Sequence, residues 1–378
     1  MNRRDFILHT GTTAAALTLA GPDVWATSPA GNPLPRWKGF NLLDFFSPDP
    51  RASRAPTQEE YFKWMRDWGF DFVRIPMAYP YYLNIDRSKN ITPEDVYKID
   101  TQAVDKIDSL VSMAHKYNMH VSLNLHRAPG YCVNAGFYEP YNLWKDQAAL
   151  DAFCFHWNMW AKRYKNVSRK KISFDLVNEP STREDMNDQL SKRSPVPGDV
   201  YRRVAIAAAE AIRKENPDHL VIADGNDVGS KVIPEITDLN IAQSCRGYYP
   251  GNISHYKAPW AVKDPEHQPA PTWPGKDGDK YVDRAALQEY YKPWAALVEK
   301  GVGVHCGECG CWKETPHGVA LAWFNDLADV LTSHKIGYAL WEFVGTFGIV
   351  DSQRKDVAYE DWYGHKLDRK YLEILMKH

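Results

Sequence analysis

Two glutamates stand at the ends of short apolar runs, where a carboxyl group could act as an acid, a base or a nucleophile. Glu179 closes the run "ISFDLVNEP" (172–180), and Glu308 lies within "VHCGECGCW" (304–312). The second stretch has two interpretations. Its histidine and cysteines could bind a metal around a bystander glutamate, or Glu308 could be the reactive group at the end of a buried strand.

The spacing of the possible metal ligands disfavours a metal site. Side chains alternate faces along a strand, so we predict that Cys306 and Glu308 share one face and that the other ligands take the opposite face (His305, Cys309 and Cys311). A structural zinc site needs ligands that converge, usually with a second ligand pair elsewhere. The sequence contains no second CxxC and no HxxxH. We therefore predict no metal and no cofactor, and we interpret these cysteines as structural.

The chain contains six cysteines in total, which are Cys132, Cys154, Cys245, Cys306, Cys309 and Cys311. Six are few for a chain of 378 residues, so no disulfide framework is required. One or two bridges remain possible in an exported protein, and the spacing alone does not choose among the pairings.

The elements that would position the glutamates are eight apolar runs separated by mostly helical connections. The predicted strands are 37–46, 70–77, 120–126, 172–180, 220–226, 241–250, 301–310 and 337–343. Continuous apolar runs are typical of strands buried on both faces. Eight strand–helix units predict an α/β fold, a (β/α)8 TIM barrel forming one domain over residues 27–378 with long βα loops. A doubly wound open sheet is the alternative, but no strand is followed by GxGxxG or a P-loop.

Helix signals support these connections. A threonine cap at Thr92, a proline at the first position and acids in the first turn predict a helix start there. The same pattern follows at 199–216 and 283–300, and a helix-like segment at 317–334 precedes the last predicted strand. The connection 251–283 is long and rich in proline and tryptophan, and Trp260 and Trp273 favour an ordered wall over a disordered loop.

Polar residues cluster at the C-terminal ends of the predicted strands. They are Arg74, His126, Asn178, Glu179, Asp224, Arg246, Tyr248, Glu308, Trp341 and Glu342. Such groups are costly inside an apolar barrel core. Because barrel active sites lie at the C-terminal mouth, the cluster predicts a site there.

Charge and the N-terminal residues restrict partners and location. The net charge is −2, which gives no basic field for nucleic acid. Residues 1–26 combine Arg3 and Arg4 with a short apolar stretch and a small-residue end at Ala26, a pattern typical of a twin-arginine export signal. No later stretch is long and apolar enough to span a bilayer. We expect a periplasmic or secreted protein with no membrane partner once the signal is removed.

Several of these motifs, in this order, resemble the cellulase-type glycoside hydrolases of family 5. The resemblance rests on "RIP" (74–76), "LNLHRAPG" (123–130), "FDLVNEP" (174–180) and Gly307-Glu308, and it runs from "KGFNLLDFF" to "ALWEF". It implies a retaining glycosidase with Glu179 as acid/base and Glu308 as nucleophile. It further implies that Arg74 and Tyr248 hold the nucleophile, that Asn178 and His126 contact the sugar and that Trp341 stacks beneath it.

The chemistry requires one protonated and one ionised carboxyl at the same pH. An arginine such as Arg74 near Glu308 would favour the Glu308 anion, and Glu179 is expected to keep its proton because no cation is foreseen beside it.

The sequence departs from the family at two points. The family commonly has His-x-Tyr at the end of strand six, where this chain has Arg246-Gly247-Tyr248, so Arg246 replaces the histidine as a substrate-site residue or His255 substitutes for it. Cys309 stands where an aromatic residue often follows the nucleophile. "HRAPG" is also similar to the exo-1,3-glucanase branch.

These features together predict an exported retaining glycoside hydrolase that cleaves a β-glucan-type polysaccharide or oligosaccharide. The alternatives are a catalytically silent carbohydrate-binding barrel and, with less support, a metal-dependent hydrolase that uses the 305–311 cluster. The sequence leaves open the sugar, the linkage, endo or exo action and the oligomeric state.

Overall fold

The computed structural model describes residues 32–52, 54–185 and 188–378. The predicted export signal, residues 1–26, lies outside the described residues.

Eight parallel strands form the centre of the fold. They are β1 (Lys38–Asn41), β2 (Phe72–Ala78), β3 (His120–Ala128), β4 (Ile172–Asp175), β5 (Leu220–Asp224), β6 (Ala242–Gly247), β7 (Val304–Cys309) and β8 (Gly337–Leu340). Each strand pairs with the next one in the chain, and β8 pairs with β1, so the sheet closes on itself. The predicted (β/α)8 barrel is confirmed, with each strand lying inside one of the eight predicted runs or extending it by two residues at most.

Helices cover the outside of the barrel. They are α1 (Glu59–Asp67), α2 (Thr101–Lys116), α3 (Gln147–Arg163), α4 (Gly198–Arg213), α5 (Arg284–Glu299), α6 (His317–Ser333) and α7 (Arg369–Lys377). Between β5 and β6 the described chain has only the short segments Asn226–Gly229 and Pro234–Ile236. No helix in the described part of the chain is both long and apolar enough to cross a membrane.

The predicted start of α2 at Thr92 is wrong. The helix begins at Thr101, because the carboxylate of Asp100 accepts hydrogen bonds from the backbone N–H groups of Gln102 and Ala103 and caps it. The residues after Thr92 form instead a single 3₁₀ turn, Asp95–Tyr97.

Aromatic rings close the N-terminal end of the barrel. Trp37 stacks on His120 with ring centroids 3.8 Å apart, and Phe72 lies 4.4 Å from His305. Burial lowers the pKa of both histidines to about 3, so they are neutral packing groups. His305 therefore lies at the opposite end of the strands from their polar C-terminal ends.

The loops at the C-terminal end of the barrel carry short elements. Two-residue strands Thr182–Arg183 and Arg193–Ser194 pair, as do Gly275–Asp277 with Lys280–Val282 and Glu360–Trp362 with His365–Leu367. Tyr131–Cys132 folds back on β3. The 251–283 connection is ordered, with the short helix Gly251–Ser254 and the second of these hairpins.

Candidate active site

A cleft of about 1120 Å³ opens at the C-terminal end of the barrel. That volume is at or above the upper end of the usual range for small-molecule sites, which suits an extended ligand. Among its lining residues are the predicted site residues His126, Glu179, Tyr248, Glu308 and Trp341, together with Phe46, Trp260, Trp312 and Phe347. The other predicted site residues, Arg74, Asn178 and Arg246, lie beneath these residues, almost completely buried.

Glu308 points into the barrel because β7 bulges. The register of β7 against β6 shifts between Cys306 and Glu308. A Cβ at Gly307 would lie 2.6 Å from the Ser244 hydroxyl, so this position also faces inward and tolerates no side chain. The prediction that Cys306 and Glu308 share a face is wrong, since the extra residue in the bulge breaks the alternation on which it rested.

The Cys306 and Cys309 side chains instead share the outer side of the barrel wall. A Cβ added at Gly247 on β6 would lie within 3.1 Å of both Cys306 Sγ and Cys309 Cβ. All six cysteines lie in the described residues, and none is disulfide-bonded. Within the described ranges no group of three His, Cys, Asp or Glu residues is arranged to hold a metal ion.

Each oxygen of the Glu308 carboxyl accepts a hydrogen bond from a different side chain. Arg74 Nη1 donates to Oε1 at 2.7 Å, and the Tyr248 hydroxyl donates to Oε2 at 3.2 Å. Arg74 is itself fixed by Asp175, which accepts from Nε at 2.8 Å, and by Asn41 at 3.1 Å. The Glu308 side chain is only 4% exposed, so its contact with Arg74 is a buried ion pair.

Glu179 has a strained backbone at the end of the segment that follows β4. Its φ is +49°, a left-handed conformation that is uncommon outside glycine. The N–H of Glu179 donates to Asp224 Oδ2 at 2.9 Å, and its carbonyl accepts from the Tyr131 hydroxyl at 2.6 Å. These contacts hold the conformation and direct the carboxyl into the cleft, a pattern expected at functional sites.

The Glu179 carboxyl has a cation beside it, contrary to the sequence-based expectation. Arg246 Nε donates to Glu179 Oε1 at 3.0 Å. Burial, followed by the charge of Glu308, nevertheless raises the pKa of Glu179 to about 7, with Arg246 opposing the rise. Glu179 can thus carry a proton near neutral pH because desolvation and a neighbouring anion outweigh the arginine.

Asn178 connects the two arginines. Its Oδ1 accepts from Arg74 Nη2 and from Arg246 Nη2, each at 2.9 Å. Its Nδ2 is buried and has no partner among the described residues. With the oxygen occupied, the amide nitrogen is left as an unpaired buried donor beneath the cleft, and its contact with a sugar hydroxyl stays a prediction.

A set of rings covers the cleft floor on the β3 and β8 side. Trp341 lies 5.6 Å from His126 and 5.7 Å from Phe46, and Phe46 lies 4.5 Å from His126, all between ring centroids. Burial lowers the pKa of His126 to about 4, so its ring is neutral. The structure places Trp341 where an aromatic face is available to a ligand.

A second aromatic group forms the opposite wall. Trp260 lies 4.6 Å from Trp312, and Trp312 lies 5.7 Å from Phe347. The predicted wall from the 251–283 connection therefore reaches the cleft through Trp260. Trp273 does not line the cleft, because its Nε1 donates to Asp326 on α6 at 2.9 Å.

His255 does not occupy the place of Arg246. Its ring stacks edge-on against Tyr248 at 5.0 Å, and its Nδ1 bonds the Ser254 hydroxyl at 2.8 Å. Glu342 also lines the cleft, where its carboxyl accepts from the backbone N–H of Phe347 at 3.0 Å and pairs with Arg54.

Sequence reasoning missed two buried members of the network, Asp175 and Asn41. Burial, with the charge of Asp224 next, raises the pKa of Asp175 to about 7. The available signal was a lone acid in the apolar run "ISFDLV" and a lone amide in "KGFNLL". Each is a polar residue in a strand expected to be buried on both faces.

A closed barrel with two carboxyls in an aromatic-walled cleft at the C-terminal mouth defines an O-glycosyl hydrolase. The chain belongs to glycosyl hydrolase family 5, since the family model described as "Cellulase (glycosyl hydrolase family 5)" matches residues 27–345. The resemblance found in the sequence is thereby confirmed.

Individual relatives agree with this membership. A crystal structure titled as that of a glycoside hydrolase is 36% identical, with a TM-score of 0.81 over 90% of this chain and 99% of that one. Endoglucanase C of Acetivibrio thermocellus is 26% identical over 317 residues, covering 77% of this chain and 85% of the relative. Cellodextrinase A of Ruminococcus flavefaciens is 25% identical, covering 79% and 83%.

Proposed function

We propose that this protein is an exported retaining β-glucanase in which Glu179 is the acid/base and Glu308 is the nucleophile. The observation that carries the proposal is the unequal support of the two carboxyls. Glu308 accepts from Arg74 at 2.7 Å, whereas burial and the neighbouring anion raise the pKa of Glu179 to about 7. One carboxyl is prepared as an anion and the other as a proton donor, as double displacement requires.

The first step forms a glycosyl ester. A Glu308 oxygen attacks the anomeric carbon while the Glu179 proton moves to the glycosidic oxygen, and the bond from carbon to that oxygen breaks. The leaving sugar departs as a neutral alcohol, and Glu179 becomes a carboxylate.

The second step restores the enzyme. Glu179 takes a proton from water as the water oxygen attacks the anomeric carbon, and the ester bond to Glu308 breaks. Glu308 is released as the anion that Arg74 and Tyr248 bind, and Glu179 is protonated again. Two displacements at one carbon retain the β configuration.

A β-glucan chain is the substrate class that the relatives and the cleft support together. The relatives named above are an endoglucanase and a cellodextrinase. The cleft offers flat aromatic faces at Trp341 and at Trp260 and Trp312, which suit the flat, partly apolar faces of successive glucose units. Export rests on the twin-arginine pattern of residues 1–26. Replacing Arg3 and Arg4 with lysine should retain the protein in the cytoplasm of a bacterial host that has this export route.

The decisive experiment combines a substrate panel with product stereochemistry. Soluble β-1,3-, β-1,4- and mixed-linkage glucans, a mannan and aryl β-glycosides are compared, with the Glu308→Gln variant as the control for contaminating activity. Proton NMR of the earliest product of the best substrate should show the β-anomer before mutarotation. An initial α-anomer would assign Glu308 as a base acting on water, and mannan as the sole substrate would overturn the glucan assignment.

A further inference from the structure

Arg246 is buried beneath the two glutamates, and its donors are occupied by protein groups. The side chain is 3% exposed. Nε donates to Glu179 at 3.0 Å, Nη1 to Asp224 and Ser244 at 3.0 Å each, and Nη2 to Asn178 at 2.9 Å. Nη2 also lies 3.3 Å from Glu308 Oε1. No guanidinium N–H is left for a sugar, so the predicted role of Arg246 in binding substrate does not fit its position.

The surroundings of Arg246 are built to hold it there. A Cβ at Gly229, whose φ is +76°, would lie 2.5 Å from Arg246 Cγ, so only glycine leaves room for the side chain. Asp224 pairs with the guanidinium and also accepts the Glu179 N–H at 2.9 Å. The same ion pair therefore fixes both the backbone and the carboxyl of Glu179.

We propose that Arg246 is a positioning residue for both steps of the reaction, which holds the Glu179 carboxyl during the first step and favours its anion during the second. This inference rests on the proposed roles of Glu179 and Glu308. It differs from the role of Arg74, which supports Glu308 from the other side and forms no described hydrogen bond or ion pair with Glu179.

The charge balance around Glu179 changes between the two steps. The titratable and charged groups that face it are Glu308 from β7, Arg246 from β6, Asp224 from β5, Tyr131 after β3 and Tyr248 after β6. In the free enzyme, burial and Glu308 raise the pKa of Glu179 above its usual range while Arg246 lowers it. Once Glu308 is esterified its charge is lost, so the lowering effect of Arg246 remains without that opposing anion.

The test separates the two steps with aryl β-glycosides of the preferred sugar. A 2,4-dinitrophenyl substrate needs no acid assistance, so its turnover reports the second step, whereas kcat/KM for a phenyl substrate reports the first. In Arg246→Gln we expect at least about tenfold lower kcat on the dinitrophenyl substrate. Because an adjacent cation lowers a carboxyl pKa by about one unit or more, the pKa of Glu179 should be higher by that amount in Arg246→Gln. The acidic limb of the pH profile of kcat for the dinitrophenyl substrate should therefore move to higher pH. The basic limb of the pH profile of kcat/KM for the phenyl substrate should move in the same direction.

Arg246→Lys retains the charge, so its limbs should move less than those of Arg246→Gln. Its kcat should still fall on both substrates, because a single ammonium group lacks the planar guanidinium with which Arg246 contacts the Glu179 and Asp224 carboxyls together. Arg202→Gln removes a surface arginine paired with Asp238 and should leave every limb unchanged.

A purely structural role predicts equal losses of kcat on both substrates with unmoved limbs, and that result in a folded Arg246→Gln variant would overturn the proposal. If the unpaired Asp224 prevents folding, Asp224→Asn/Arg246→Gln removes both charges. Because Asp224 also raises the pKa of Glu179, the pH limbs of this double variant are compared with those of Asp224→Asn alone. If neither of these two variants folds, the proposal is tested with Arg246→Lys. A wild-type kcat and wild-type pH profiles in Arg246→Lys would overturn it. The assignment of Glu179 is judged separately, because Glu179→Gln with undiminished phenyl glycoside hydrolysis would refute the proposed function whatever Arg246 does.

Discussion

Arg74 Nη1 lies 2.7 Å from Glu308 Oε1, and both side chains are almost completely buried. The arginine lies on β2, which β1 and β8 separate from β7. Asp175 accepts from its Nε, Asn178 accepts from its Nη2, and Asn41 accepts from the same Nη1. Glu308 is therefore paired with a preorganised cation, as its proposed role as nucleophile requires. This relationship makes the two glutamates of the cleft chemically different.

Glu179→Gln and Glu308→Gln should both fold and lose activity. Each substitution keeps the side-chain volume. The other described carboxyl residues that line the cleft are Asp277 and Glu342, and Glu342 is paired with Arg54. General acid assistance alone is worth about 100-fold or more, so turnover of a natural glucan should fall at least that far. Reducing-sugar assays measure the loss. Glu289→Gln, at an exposed glutamate on α5, is the matched control. Near wild-type turnover by either variant would contradict the role of that glutamate.

Azide should distinguish the two roles. In Glu308→Ala, azide can attack the anomeric carbon from the vacated side, and the glycosyl azide should form with inverted configuration. In Glu179→Ala, azide should attack the ester on Glu308 and give the retained product. Activated aryl glycosides supply the substrate, and NMR of the azide product gives the configuration. The same configuration from both variants would show that the assignment fails.

The basic limb of kcat/KM should lie near pH 7. Burial and the charge of Glu308 raise the pKa of Glu179 to about 7, and the first step requires the protonated form. Activity is therefore present below that pH and is lost as the pH rises through it. A pH profile with a phenyl glycoside measures the limb. In Glu179→Gln the residual activity should have no basic limb near pH 7, and a limb that persists unchanged would assign it to another group.

Asp175 should make the protein less stable as the pH rises. Burial and the charge of Asp224 raise the pKa of Asp175 to about 7, so the folded state binds this proton more tightly than the unfolded chain. The resulting stabilisation is complete below the unfolded pKa of about 3.9 and is lost as the pH approaches 7. Asp175→Asn should flatten this dependence in urea unfolding between pH 4 and pH 8. The exposed Asp264→Asn is the control, and an unchanged slope in Asp175→Asn would contradict the prediction.

Prolonged treatment with a chelator should leave activity intact. The cysteines near Glu308 are buried on the outer side of the barrel wall, and His305 packs at the opposite end of the strands. Elemental analysis of the purified protein, read together with glucanase activity after dialysis, checks the prediction. Stoichiometric zinc with loss of activity on chelation would restore the metal interpretation of residues 304–312.

Much of the fold was predictable because each barrel strand is buried on both faces. Burial of both faces produces a continuous apolar run, and eight such runs are visible without knowing which strands pair. The polar ends of these runs were equally visible, since residues such as Arg74 and Glu308 are costly in an apolar interior and stand out within it. The position of both glutamates at the mouth of the barrel was predicted from the sequence, and the structure places both in the cleft there.

Contacts between distant residues were decided by the tertiary structure. The β7 bulge depends on how Glu308 registers against Arg246, and no local pattern specifies that pairing. The contact between Arg246 and Glu179 joins residues 67 positions apart, so no local pattern predicted a cation there. The sequence determined which side chains reach the mouth of the barrel, because burial acts on each strand separately. Tertiary structure decided which charges meet there, because distances between strands depend on the closure of the whole sheet.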